Sequence, residues 1–186
     1  MDTLPLDVIV KLRNKDIVIY DLDMTLIDVR GRYYKSLEEI GYQNKRIEDL
    51  PPKIRRRFWR IFLSDKYIYL DKPIENTIGE LRNKYADGYG ILILTGRPLD
   101  MEATTKKQLE TFNIPYHCLV MRPRKYYTST VKFKVNVIDL LTTHDFNIIE
   151  YHDDDKTVIE NIRRNYPWIK AILHKYKNLK IDGIGF

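Results

Sequence analysis

Residues 17–28 read IVIYDLDMTLID, and this stretch decides the fold. The run Ile17-Val18-Ile19-Tyr20 is too short and too β-branched for a surface helix, so it reads as a buried strand. Asp21 and Asp23 follow at once, with Met24 and Thr25 behind them. Burying isolated carboxylates is costly, so a core strand ends in two of them only where a cation or a proton uses them. Small-molecule and metal sites form at the carboxyl edge of a parallel sheet. A polar strand-to-helix turn is the plain alternative, and the polar residues downstream decide between the two.

Outward from this strand, residues 1–16 read as a polar lead with a short apolar piece, Val8-Ile9-Val10. Residues 29–70 look mostly helical, with Tyr33, Leu37 and Ile40 on one face. Pro51-Pro52 breaks that segment and can start another helix. Residues 53–63 carry Ile54, Phe58, Ile61 and Phe62 at helical spacing, with Arg55, Arg56, Arg57 and Arg60 mostly elsewhere, which makes a basic amphipathic helix. Pro73 can open a helix in which Ile74, Ile78, Leu81 and Tyr85 recur; it stops near Asp87-Gly88, and 91–94 is the next strand. The pattern then alternates: helix 100–112, strand 117–121, helix 134–141, strand 147–151, helix 157–164, strand 168–173. Such alternation predicts a three-layer α/β domain on a parallel sheet of at least five strands. The expected division is a core of 1–28 and 71–186 with a small, basic helical insertion at 29–70.

A chain of 186 residues can bury one substantial core. Its only cysteine, Cys118, lies in an apolar run and excludes an internal disulfide framework or a cysteine metal cluster. No apolar run approaches the roughly 18 residues a membrane span requires, and the start lacks a signal-peptide-like apolar region. A cytoplasmic protein without a membrane partner is the expectation; an oligomeric state is not legible. The net charge is +6, unevenly spread. Residues 29–70 hold eleven Arg or Lys against five acids, a net +6, and residues 122–134 hold five bases and no acid; the remainder is therefore −5. Two basic regions on an acidic body suggest an anionic partner.

Four polar groups fall just after predicted strands or at a helix start: Asp21/Asp23/Thr25, Thr95-Gly96-Arg97, Lys132 and Lys134, and Asp153/Asp154/Asp155. In a parallel sheet these positions converge on one edge. The set, DLDMT, LTGR, a lysine and HDDD, resembles the haloacid dehalogenase-like phosphatases over nearly the whole chain except 29–70. The resemblance implies a Rossmann-like core with strand order 5-4-1-2-3 and a cap in the insertion. It also implies a Mg²⁺-dependent phosphomonoesterase working through an aspartyl-phosphate. In that scheme Asp21 is the nucleophile and Asp23 the acid–base residue, with its main-chain carbonyl on the metal. Thr95 would bind a phosphate oxygen and a lysine would neutralise the transferring group. Asp21, Asp23, Asp153 and Asp154 would form an oxygen-rich metal site that suits Mg²⁺.

Lys134 is preferred over Lys132 because it can open the helix of Val137 and Ile138. Asp153, the first acid past the strand, is the expected main metal ligand and Asp154 the second, while Asp155 can cap the next helix. Asp28 reads as structural. Gly96, Arg97, Lys132, Arg122 and Arg124 are candidates for substrate binding, although Arg97 could instead tie down its loop. A response-regulator receiver would carry an adjacent acid pair, which fits poorly, and a catalytically inactive anion-binding module is a further alternative. The run Met121-Arg122-Pro123-Arg124-Lys125, with the later HDDD and VIENIRR, locally resembles the phosphatase domain of polynucleotide kinase/3′-phosphatases. That implies a nucleic-acid 3′-phosphate, the runner-up being a nucleotide or other small phosphorylated metabolite. A kinase half is not expected, because no GxxxxGK loop is present.

Overall fold

Strand β1 (Ile17–Tyr20) lies at the centre of a five-stranded sheet and is buried throughout. Its neighbours are β4 (Gly90–Pro98) and β6 (Ile148–Asp153), flanked by β5 (Cys118–Arg122) and β7 (Lys170–Leu173); every pairing is parallel. The order β5-β4-β1-β6-β7 is the expected one. The chain leaves β1 in one direction through β4 and β5, then returns to β6 on the other side. The carboxyl end of β1 is thus the topological switch point, where such sheets open a crevice. The structure, a computed structural model, describes residues 6–123 and 129–175. Among them no helix is long and apolar enough to cross a membrane.

Side chains alternate across the pleat, so β1 feeds two cores. Ile17 and Ile19 join Leu92, Leu94, Val120 and Tyr151 under α6 (Thr130–Thr143) and α7 (Lys156–Asn165). Val18 and Tyr20 join Ile91 and Ile93 under α4 (Glu75–Ala86) and α5 (Glu102–Thr111). These layers are the α/β architecture expected from the alternating pattern.

One segment differs from its sequence reading. The polar lead contains a helix, α1 (Leu6–Leu12), which buries Val8 and Leu12 in the first core. Seven residues are too few for a periodicity to declare itself. The helix-to-strand turn sits tightly against β4: a Cβ on Gly90 would lie 3.0 Å from Leu12 Cδ2 and 3.1 Å from Lys15 Cβ.

The insertion enters and leaves through a stem, β2 (Ile27–Asp28) paired antiparallel with β3 (Lys72–Pro73). Between them lie α2 (Arg30–Glu39), a 3-10 turn at Ile47–Asp49, α3 (Pro52–Phe62) and a second 3-10 stretch, Asp65–Leu70. Pro52 begins α3, where its missing N–H is no loss. Tyr33, Leu37, Phe58 and Phe62 share the second core with the sheet, so the insertion is seated on the domain by apolar burial.

Candidate active site at the carboxyl edge of the sheet

Two buried ionic clusters meet just beyond β1. The first is built on Asp21, whose amide donates to the His152 carbonyl of β6 at 2.9 Å. Asp21 Oδ1 accepts from Lys134 Nζ at 2.7 Å, and the same ammonium donates to Asp153 Oδ2 at 2.8 Å. Asp153 Oδ2 also accepts from the Tyr151 hydroxyl at 2.7 Å, and its Oδ1 from the Asp155 amide at 2.9 Å. Asp154 is partly exposed, and carboxylate oxygens of Asp21, Asp153 and Asp154 all lie within 4.8 Å of one another. Asp155 caps α7, accepting from the Thr157 and Val158 amides.

Lys134 does not open its helix as the sequence suggested. Ser129 caps α6 a turn earlier by accepting from the Lys132 amide, which puts Lys134 on the buried face with Thr130, Phe133, Val137 and Ile138. The Ser-Thr pair was the cap signal to read. Lys132 points away: it is exposed, and its ammonium has no partner among the described residues.

One ammonium serves three carboxylates here, and the ionisation follows from that deficit. Burial raises the Asp21 carboxyl against the pull of Lys134, and the Asp153 charge adds to the rise. Burial, Asp21 and Asp153 push the Asp154 carboxyl well above the usual range. Burial alone would lower Lys134, but Asp153 and Asp21 together raise it. A donor set of carboxylate oxygens, short of positive charge and partly open at Asp154, fits Mg²⁺ better than Zn²⁺.

The second cluster is balanced. Asp23 Oδ1 accepts from Arg97 Nε at 2.9 Å, Arg97 Nη2 at 2.5 Å and Arg32 Nη2 at 3.2 Å. Asp71, at the foot of the insertion, takes Arg97 Nη2 at 3.3 Å and Gln108 Nε2 at 3.1 Å on Oδ2. Its Oδ1 lies 3.1 Å from Arg32 Nε, an ion pair off the angle of a good hydrogen bond. Both guanidinium groups are completely buried. Burial opposes ionisation of Asp23, but Arg97 and Arg32 outweigh it and hold the carboxyl below its usual range. For Asp71 burial wins over Arg32, and its carboxyl is pushed up to about 6. Asp23 Oδ2 is buried and has no hydrogen-bond partner.

Of the residues named from sequence, Arg97 differs most from a substrate-facing role: its guanidinium is committed to Asp23, Asp71, Gln108 and Thr105. The Asp23 carboxylate is likewise turned to arginines and is not one of the three gathered acids. Thr95 is buried on β4; its hydroxyl accepts from the Arg97 amide at 3.2 Å, leaving its proton to donate. Gly96 is buried where the β4–β5 pairing shifts register between Thr95 and Pro98. Arg122, opposite Pro98, is half-buried with no partner among the described residues, and desolvation lowers its pKa. Arg124 lies outside the described residues. Asp28 grips Arg30, a structural pairing within the stem.

Sequence reading missed Arg32 and Asp71. The available signal was the α2 face: Arg32, Tyr33, Ser36 and Leu37 are spaced as one buried stripe, which puts an arginine inside. Met24, directly after Asp23, adopts a left-handed φ of 61° while its amide donates to the Ile27 carbonyl at 2.7 Å. Strain of this kind gathers where a loop must aim side chains.

No family model matches the chain, and no curated protein matches it in sequence. Solved structures do match. A haloacid dehalogenase-like hydrolase of Streptococcus pneumoniae superposes with a TM-score of 0.59 at 16% identity, covering 86% of this chain and 84% of the other. The fold is the haloacid dehalogenase-like fold. A putative phosphatase of Clostridium difficile matches at 0.63 and 21% identity, over 91% and 90% of the two chains. A chain of the Pnkp1/Rnl/Hen1 RNA repair complex matches at 0.63 and 19%, covering 89% of this chain. The present chain spans only 44% of that one, and 48% of the matching chain in a second structure of the complex. Its structural neighbours are thus haloacid dehalogenase-like phosphatases and the repair-complex protein, alike in fold at low identity.

Proposed function

We propose that this protein is a Mg²⁺-dependent phosphomonoesterase that transfers phosphate to Asp21, with a nucleic-acid 3′-phosphate end as substrate. The observation that carries the proposal is Asp21 itself: a buried carboxylate at the switch point, held by Lys134 among acids that outnumber their cations. Asp21, Asp153 and Asp154 would hold Mg²⁺, which would supply positive charge to the transferring phosphate.

The remaining chemistry belongs to the side chains. A carboxylate oxygen of Asp21 attacks phosphorus, and the bond from phosphorus to the leaving oxygen breaks as that oxygen takes a proton from Asp23, which the second step returns to Asp23. Lys134 sits against Asp21 Oδ1 and neutralises charge there, while the Thr95 hydroxyl donates to a phosphoryl oxygen. Water then attacks the phosphoaspartate, the Asp21 oxygen–phosphorus bond breaks and inorganic phosphate leaves. Asp23 Oδ2, the carboxylate oxygen without a hydrogen-bond partner, would take the proton of that water. Its arginine clamp favours the ionised form, so the proton Asp23 lends to the leaving oxygen is one it readily gives up. Half-buried Arg122, without an ion-pair partner among the described residues, would meet the substrate's flanking phosphate. The nucleic-acid substrate is supported by the likeness to an RNA repair protein and by the basic insertion.

The test is a phosphatase assay with Mg²⁺ on an aryl phosphate, mononucleotides, and 3′- and 5′-phosphorylated oligonucleotides, combined with acid-quench trapping of phosphoenzyme. Wild type should form an acid-stable, base-labile adduct that Asp21→Asn cannot form and that Asp23→Asn accumulates. Undiminished activity in EDTA or in Asp21→Asn rules the scheme out. Equal kcat/KM for a 3′-phosphorylated oligonucleotide and its mononucleotide would leave the chemistry standing and remove nucleic acid as substrate.

A further inference from the structure

The +6 of residues 29–70 is not spread over the insertion once partners are assigned. Arg30 is paired with Asp28, Arg32 with Asp23 and Asp71, Lys35 with Glu38, Arg46 with Glu48 and Lys66 with Glu39. Of the remaining six, Lys45 stands alone in the loop after α2, while Lys53, Arg55, Arg56, Arg57 and Arg60 are all on α3; all six are exposed and have no carboxylate within ion-pair distance among the described residues. Glu39, which senses Arg57, is already occupied by Lys66 Nζ and the Tyr67 hydroxyl, each at 2.7 Å.

Helical geometry sorts the five on α3. At about 100° per residue, Lys53, Arg56, Arg57 and Arg60 fall within a sector of roughly 100°, while Arg55 projects about 150° from the middle of it. Phe58 and Phe62 face away from the stripe and are fully buried. The four stripe cations lie at three levels, Lys53, the adjacent pair Arg56 and Arg57, and Arg60, each level about one turn from the next, and span about 10 Å along the axis. The helix is also oriented. Its last carbonyl, of Phe62, accepts from Arg32 Nη1 at 3.2 Å, and Arg32 in turn donates to Asp23. The row therefore begins near the candidate active site at Arg60 and runs outward to Lys53.

We propose that this row is a docking rail for a single nucleic-acid strand, with the strand's end delivered to Asp21. The proposal rests on the nucleic-acid reading above and deepens it by assigning where the strand lies. A single phosphate at Asp21 cannot engage cations spread over that length, whereas a chain of regularly spaced phosphates can, and arginine grips phosphate with two donors. A protein partner would call for apolar anchors at the centre of its interface. A membrane would call for an exposed apolar flank. On α3 no large apolar side chain is exposed: Ile54, Trp59 and Ile61, beside the cations, are partly buried and packed against the domain core.

Arg55 supplies an internal control of equal charge. Binding of a labelled single-stranded oligonucleotide of about ten nucleotides is followed by fluorescence anisotropy as salt is varied. Alongside it, kcat/KM is measured for the 3′-phosphorylated oligonucleotide and for a small aryl phosphate. Arg56→Gln/Arg57→Gln/Arg60→Gln should lose about tenfold or more in affinity and flatten the log–log salt slope by about 2, at ~0.7 per phosphate contact on a single strand. Each of those single changes should weaken binding more than Arg55→Gln does, and aryl phosphate turnover should stay within about twofold, because no reacting group is touched. Equal effects from Arg55→Gln and Arg57→Gln would overturn the rail, since net charge alone would then be at work. So would anionic phosphatidylserine vesicles or an acidic peptide binding in a stripe-dependent way where the oligonucleotide does not. Stripe-dependent oligonucleotide binding without hydrolysis would uphold the rail and refute the phosphatase reading, so the two failures are separable.

Discussion

Two buried ionic clusters stand side by side at the end of β1, and they are built on opposite principles. Asp23, Asp71, Arg32 and Arg97 balance two charges against two, closed to solvent and braced by Gln108 and Thr105. Asp21, Asp153 and Asp154 gather around one lysine, with Asp154 partly exposed. A balanced cluster holds a shape; a deficient one holds a place for positive charge. The difference teaches where rigidity ends and chemistry begins, since both clusters hang from the same sheet edge.

The comparison can be broken most directly at Lys134. Lys134→Met should cut turnover of an aryl phosphate by about 10²–10³-fold through lost charge neutralisation, measured at saturating Mg²⁺. A rate near that of wild type would mean that the deficient cluster is not the reacting one. The balanced cluster should respond in its fold as well as in turnover, because Asp23 is the proposed acid–base residue. Removing one cation from it with Arg97→Met leaves buried carboxylates uncompensated, an expected loss of about 3–5 kcal/mol in urea unfolding.

Metal distinguishes the clusters by sign. Mg²⁺ at about 100 times its Kd should stabilise wild type by roughly 2.7 kcal/mol, read as a rise in Tm over the protein in EDTA. Asp154→Asn should lose most of that rise. In EDTA the same substitution should be stabilising, because it relieves repulsion that the fold alone does not compensate. Stabilisation by Asp154→Asn in Mg²⁺ as well would contradict the assignment.

The smallest expected effect is a control outside both clusters. Lys84, Lys170 and His152 donate to Glu150 and, against some burial, hold its carboxyl down to about 2. A lowered folded-state pKa contributes stability that is complete above the unfolded value of 4.5 and fades as pH falls towards about 2. Glu150→Gln should therefore flatten the acid limb of stability over that window and leave neutral-pH turnover unchanged.

What the sequence by itself determined was the alternation of strands and helices and the placement of Asp21, Thr95 and Asp153 towards the carboxyl ends of their strands, although β4 and β6 run on to include Thr95 and Asp153. These follow from local periodicity: apolar runs with β-branched residues make buried parallel strands, and the first polar residue after each run must emerge at the edge. Even the Asp155 cap was legible, because a cap acts within two or three residues of its own position. Only the tertiary structure decided which charges face each other. Arg32 and Arg97 read as members of basic or loop segments, yet they are buried against Asp23 and Asp71, across separations of 9 to 74 residues. The same holds for α3, where a net charge counted along the chain resolves into four cations on one face and a fifth apart from it. Local patterns are enforced by the backbone's own geometry, whereas the pairing of charges is set by which strand ends the topology brings together.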